Sequence, residues 1–440
     1  MKNIFLPVFL IIFFPLYMFS QPDISDEEVI RLARIEIDTL CSTTFAGRGY
    51  IDDGHKKAAG YLESKFRESG LKAVVPVGKS MSYQQHFPLN INLITGASLI
   101  FGKDTIRPGK DFIVSRFSGN GHFSGRMADL GYALTTPSHS LIGKIAVFRD
   151  GWPEEIANDP EKQKQYKDLA HATDRIGMLL SYHPQGIIVI QKKLTAGFSR
   201  EQYPVPVLEL KESAVPEKLR SAKLSVSAEM AQITSQNVMG MVEGKIYPDS
   251  VFIVCAHYDH LGKLEDAVFT GANDNASGVS MILSMATYFA QPSHQPDYSM
   301  LFIAFGGEET GLVGSGYYVN QAPVVPLAKT KFVLNLDLMG NGVDGIMAVG
   351  GIDFPDSFGK LVSINDTMKY VPVVRSRKNA PNSDHYFFLE KGIPGFFIYT
   401  LGGPPHYHDV NDTPSTIELS KYAEVRALLI RFLTALASGK

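Results

Sequence analysis

The run Val251-Phe252-Ile253-Val254-Cys255-Ala256-His257-Tyr258-Asp259-His260 decides the fold. Its first six residues are apolar without interruption, which is how a strand buried on both faces reads, and two histidines and an aspartate stand at its end. Met300 to Phe305 and Phe332 to Leu336 repeat the arrangement, the first followed by Glu308-Glu309 and the second by Asp337. A helical stretch, Ser277 to Phe289, lies between the first two. Strands alternating with helices from Asn237 onward predict an α/β fold, a three-layer α/β/α sandwich around a central, mostly parallel mixed sheet. Ligands of such sheets bind outside the carboxyl ends of the strands. Three strands that deliver histidines and carboxylates there predict a site built on a rigid scaffold.

Outward from this core, Ser25 to Leu40 carries apolar residues at helical spacing with Ser25 as N-cap, and Ala58 to Ser69 repeats the pattern before Gly70. Phe354 to Lys369 and Thr416 to Ala437 also read as helices, the last closing the chain. From Asp111 to Glu229 the texture changes. Short β-like runs, Ile145–Phe148 and Ile187–Ile190, flank a polar helical stretch, and an extended Tyr203–Leu208 follows. The predicted organisation is an α/β domain made of residues 21–110 and 230–440, with a β-rich module, 111–229, inserted in it. The module holds no cluster of histidines and carboxylates, so it reads as a lid or substrate selector.

Met1-Lys2-Asn3 followed by the apolar run Ile4 to Phe19 reads as a signal peptide, residues 1–20, cut after Ser20. That predicts export, to a periplasm or to the medium, with no stable membrane insertion after cleavage. The 440 residues carry 42 Lys+Arg against 45 Asp+Glu, a net charge of -3, which offers no general electrostatic reason to bind nucleic acid. Two cysteines, Cys41 and Cys255, exclude a disulfide framework or a cysteine-rich zinc module. Cys255, on the apolar run, reads as a small core residue.

The polar segments resemble those of the M28 family of zinc peptidases, the co-catalytic aminopeptidases. The matching stretches are Ala256–Gly262, Gly271-Ala272-Asn273-Asp274-Asn275-Ala276-Ser277-Gly278, Glu308-Glu309-Thr310-Gly311-Leu312 with Gly314-Ser315, and Asn335–Gly340. Ser383-Asp384-His385, His408 with Asp412-Thr413, and Gly47-Arg48-Gly49 also match. The 111–229 module looks like a protease-associated (PA) domain. One such motif alone would be weak, because a single His or Glu is more often structural than a ligand; five ligand positions in the family's order and context are a strong signal.

The resemblance implies two Zn²⁺ held by His257, Asp274, Glu309, Asp337 and His408, with Asp274 bridging. One zinc would take His257, Asp337 and one Asp274 oxygen, the other His408, Glu309 and the second oxygen, each keeping an open position as catalytic zinc does. Glu308, beside the metals but not on them, is the implied general base. Asp259 is the expected partner of the far nitrogen of His257. Tyr407 is either an oxyanion donor or a packing residue. Asp384 either shapes the pocket or caps the next helix, while His260, His385 and His406 flank the site. A cis peptide is implied at Asp274–Asn275. The implied activity is hydrolysis of N-terminal residues from peptides or proteins with a free N-terminus. A glutaminyl-cyclase-like acyltransferase with one zinc, and a non-catalytic M28-like binding protein, are the alternatives. A carboxypeptidase is disfavoured because no arginine cluster can be placed at the site from sequence.

Overall fold

The computed structural model describes residues 24–437, so the signal-peptide reading lies outside the described residues. The central sheet carries the strands in the order Val374–Arg377, Ile346–Val349, Gly395–Thr400, Thr330–Leu336, Tyr247–His257, Tyr298–Phe305 and Ser221–Val242. Four neighbouring strands, Gly395–Thr400, Thr330–Leu336, Tyr247–His257 and Tyr298–Phe305, run parallel, and antiparallel partners flank them on both sides. The expected mostly parallel α/β/α architecture is what forms.

The pleat explains the continuous apolar runs. Phe252, Val254 and Ala256 face one layer with Met300, Phe302 and Ala304, whereas Val251, Ile253 and Cys255 face the other with Leu301, Ile303 and Phe305. The first layer holds the helices Asp26–Leu40, Gly54–Glu68, Gly278–Ala290, Pro355–Met368 and Tyr422–Ala437; the second holds Val313–Asn320 and Tyr386–Glu390. Each central strand is therefore covered twice and has no polar face to show. Ser25 caps its helix, accepting from the Glu28 N–H as its sequence position suggested.

Two differences from the sequence reading have local causes. The closing helix starts at Tyr422, not Thr416, because Leu419 sits in the left-handed region (φ 58°) and breaks the helical path. The strand Gly395–Thr400 was not anticipated, although Gly395-Phe396-Phe397-Ile398-Tyr399-Thr400 has strand composition.

The strands of the segment 111–229 are buried on both faces: Ile145, Val147, Ile188 and Leu208 lie in a cluster shared with Leu99, Leu261 and Phe269, and Ala146, Phe148, Ile187 and Val189 lie in a cluster on the other face. Its attachment is unusual. Gln84–Phe101 and Ser221–Val242 form one long antiparallel ribbon, paired from Gln84 with Val238 to Ile100 with Lys223. On its other edge Ser221–Val242 pairs first with Gly121–Asp129 and then with Tyr298–Phe305, so one strand belongs to both halves of the sheet.

Candidate active site

The carboxyl ends of the four parallel strands converge. His257 ends the first, Glu308 and Glu309 follow the second, Asp337 follows the third, and His408 lies on the loop leaving the fourth. Asp274 comes from the irregular turn 272–277 ahead of the helix Gly278–Ala290, and the Asp274–Asn275 peptide is cis. All five expected ligand residues meet here.

Asp274 divides its carboxylate. Oδ1 lies 3.3 Å from His257 Nε2, and Oδ2 lies 3.3 Å from His408 Nε2. Asp337 Oδ1 joins the first group at 3.4 Å from His257 Nε2, and Glu309 Oε2 joins the second at 3.0 Å from His408 Nε2. The far ring nitrogens fix what these contacts are. His257 Nδ1 faces the Asp259 carbonyl at 3.1 Å and His408 Nδ1 faces the Ala196 carbonyl at 2.8 Å. A carbonyl only accepts, so each Nδ1 carries a proton, which leaves Nε2 as the nitrogen turned toward carboxylate oxygens, able to offer its lone pair to a metal ion. Asp274 Oδ2 and Asp337 Oδ1 accept no hydrogen bond among the described residues. Each Nε2 and the carboxylate oxygens it faces can share a proton or hold a metal cation between them. Donors around a tetrahedral zinc with bonds of about 2.0–2.1 Å lie about 3.3 Å apart, which is the spacing found. The residues fit zinc held in this way.

The charges agree. Burial alone would lower His408, but Glu309 and Asp274 raise it to about 11; His257, likewise buried, is raised by Glu308 and Asp337. Burial opposes the charge on Glu309, yet His408 and His260 hold it down at about 2, and His260 Nδ1 donates to its Oε1 at 2.8 Å. Glu308 is different. Burial, and then the carboxylates of Glu309, Asp384 and Asp337, push it well above the usual range. The cluster attracts positive charge, and Glu308 is the acid in it that holds a proton most readily.

Asp259 partners the far nitrogen of His257, through its backbone carbonyl. Its carboxylate accepts from Tyr50 Oη at 2.9 Å and from the Glu308 N–H at 3.1 Å, fixing Glu308 rather than His257. Asp384 caps nothing: the helix Tyr386–Glu390 has no side-chain cap, and both Asp384 carboxylate oxygens lack hydrogen-bond partners among the described residues. Burial raises it to about 7. Tyr407 is half exposed, and its ring stacks on His408 at 3.9 Å. His385 is buried with neither ring nitrogen bonded among the described residues.

Further residues hold the ligands. Ser383 Oγ donates to Asp337 Oδ2 at 3.0 Å, and Asn335 Nδ2 donates to Ser383 at 2.7 Å. Arg48, fully buried, donates to the carbonyls of Leu40, Tyr258, Thr270 and Gly271 and so ties together the loops after His257 and before Asp274. Gly47 (φ 63°) lets this loop pass against Gly262, where a Cβ would meet the Gly262 carbonyl. A cavity of about 200 Å³ opens beside the cluster, walled by Glu308, Leu338, Phe397, Tyr399, Tyr407 and Arg377. Arg377, on this wall, is a residue that the sequence reading did not associate with the site.

Residues 237–433 match peptidase family M28. They are a family M28 peptidase domain. Aminopeptidase YwaD of Bacillus subtilis (strain 168) is 31% identical over 235 residues, 50% of this chain and 49% of that protein. Leupeptin-inactivating enzyme 1 of Streptomyces exfoliatus is 32% identical over 153 residues, 33% of this chain and 32% of that one. The chain thus matches about half or less of the length of these curated relatives. Among solved structures, BSAP, a zinc aminopeptidase from Bacillus subtilis, shares the M28 fold with a TM-score of 0.69 at 21% identity, over 92% of this chain and 93% of that one. A peptidase M28 precursor from Shewanella amazonensis SB2B gives 0.66 at 17% identity, over 94% and 97%.

Proposed function

We propose that this M28 protein is an exported aminopeptidase that binds two zinc ions and removes N-terminal residues from peptides. The observation that carries the reading is the divided carboxylate of Asp274, one oxygen turned to each histidine. His257, Asp337 and Asp274 Oδ1 would hold one zinc; His408, Glu309 and Asp274 Oδ2 the other. Bound zinc supplies Lewis acidity and a water whose pKa is lowered to about 7.

The protein's own groups do the rest. Glu308, set in the cavity wall and steadied by Asp259 through its N–H, takes the proton of the attacking water and passes it to the leaving amine. Tyr407, on the same wall, is placed to donate to the developing oxyanion. Asp274 and Asp337, which line the cavity, give it negative charge to face a protonated α-amine. The segment 111–229 reads as a PA-like module acting on substrate access. Residues 1–20 are taken as an export signal, with a periplasmic or secreted product; among the described residues no helix is long and apolar enough to cross a membrane.

The test is zinc titration of the full chain, together with one peptide offered free, N-acetylated and C-amidated. Two zinc ions per chain are expected, with cleavage of the free and amidated forms only. Acetylation removes the amine's positive charge, so the loss belongs in kcat/KM. One zinc per chain would favour the cyclase-like alternative. Cleavage that survives acetylation and fails on amidation would overturn the aminopeptidase reading.

A further inference from the structure

His257 and His408 play matching parts in the two donor sets, but their supports come from different places. The carbonyl facing His257 belongs to Asp259, two residues along the same strand end. The carbonyl facing His408 belongs to Ala196, more than two hundred residues away in the segment 111–229. The contact is reciprocal: the Ala196 N–H donates to the His408 carbonyl at 3.1 Å, so two hydrogen bonds close a ring between the two loops. Lys193 adds a third, from Nζ to the Pro405 carbonyl at 3.1 Å. Phe198 packs edge-on against Tyr50 at 5.2 Å between ring centres, and Tyr50 bonds Asp259. Residues 193–198 therefore touch the support of one histidine directly and that of the other only at second hand. His408 needs such a support. It sits on a loop, in the left-handed region at φ 56°, and the free face of its ring is covered by a Tyr407 that is itself half exposed.

We propose that Ala196 is a positioning residue for one metal site only. Its carbonyl holds the Nδ1–H of His408, which keeps Nε2 turned to Asp274 Oδ2 and Glu309. The set His408–Glu309–Asp274 is complete only while the 193–198 loop is docked; the set His257–Asp337–Asp274 is complete without it. The inserted segment thus contributes no ligand and yet controls the occupancy of the second site. This rests on His408 being a metal ligand, as proposed above.

Acceptors of this kind are worth about 10–100-fold in metal affinity. The test is competitive zinc titration of the full chain against a chelator, resolving both affinities. The variants are Ala196→Pro, which deletes the donating N–H and shifts the carbonyl, and Lys193→Ala, which removes only the outer tether. His408→Gln marks which affinity belongs to the second site. Expected is a second zinc bound about 10–100-fold more weakly in Ala196→Pro, in the site that His408→Gln abolishes, with the first within about twofold of the parent. Lys193→Ala should weaken the same site by less, and it carries the test if Ala196→Pro does not fold. Both affinities unchanged, or both falling together, would overturn the proposal. A parent chain that binds one zinc, or a His408→Gln variant that keeps both, would instead refute the two-zinc reading beneath it.

Discussion

Asp412 Oδ2 accepts the backbone N–H of Asp274 at 2.9 Å, while its Oδ1 accepts the neighbouring N–H of Asn273 at the same distance. One buried carboxylate, four residues after His408, thus clasps the turn that presents the shared ligand. Asp412→Ala leaves both N–H groups without this partner, that of Asp274 buried and that of Asn273 partly buried, and a buried unpaired group costs about 1–3 kcal/mol. The expected result is a loss of about 2–4 kcal/mol in denaturant unfolding and weaker binding of both zinc ions, because Asp274 serves both. Asp412→Asn, which keeps one acceptor, should fall between.

Glu308 and Glu309 are adjacent, but they answer to different neighbours. Glu308→Gln should keep both metals and lose about 10²–10⁴-fold in kcat, because an amide cannot carry a proton. Glu309→Gln should weaken zinc binding, since Oε2 faces His408 and Oε1 holds His260. Metal content and turnover, measured on the same preparations, separate the two. Near-normal turnover in metal-loaded Glu308→Gln would remove it as the base.

Arg48 satisfies four carbonyls from one guanidinium. Arg48→Met keeps the length of the side chain and loses every donor, so about 3 kcal/mol or more of stability should go with it. Arg48→Lys restores the charge but cannot reach four acceptors with the same fork, and should recover only part. Unfolding curves of the metal-free chain measure both.

Glu209, far from the metal cluster, gives a pH dependence that can be signed. Burial raises its carboxyl to about 7, and Gln191 donates to it at 2.7 Å. A folded-state pKa above the unfolded value means that the native chain binds the proton more tightly. Stability therefore falls as pH rises from about 4.5 to about 7, and the loss is complete above that window. Glu209→Gln removes the titration while keeping an acceptor. It should gain about 1–3 kcal/mol at pH 8 and change little at pH 4, read as Tm at the two pH values. Equal shifts at both would show that packing, not protonation, governs the site.

Much of this site could be read from residues alone, and the reason is physical. A strand buried on both faces has a continuous apolar signature, and whatever polar residue ends it stands at the edge of the sheet, so His257, Glu308, Glu309 and Asp337 could be placed before any coordinates. Asp274 and His408 lie on irregular backbone and needed motif context. The supports were harder. Ala196 acts through a carbonyl, which every residue has, so no sequence pattern marks it. Asp259 was associated with the right histidine but with no particular atom, because residue identity says nothing of whether main chain or side chain makes the contact. The ribbon Gln84–Phe101 and Ser221–Val242 escaped notice because its two strands lie more than a hundred residues apart, and pairing at that range leaves no local periodicity to detect.

That ribbon has a mechanical consequence. A module hung on two flexible linkers can swing, and a protease can cut it free. Here entry and exit are neighbouring strands, cross-bonded through most of their length, and one of them continues unbroken into the central sheet. Rotation about the stalk would have to shear ladder hydrogen bonds. The module can bend or twist with the sheet, in the manner of a leaf spring, more easily than it can open like a door. Limited proteolysis of the native chain should spare the stalk and fall on loops away from it. Cut back to residues 111–220, without Ser221–Val242, the segment would expose the Gly121–Asp129 edge that this strand now covers, and would be prone to pair with itself.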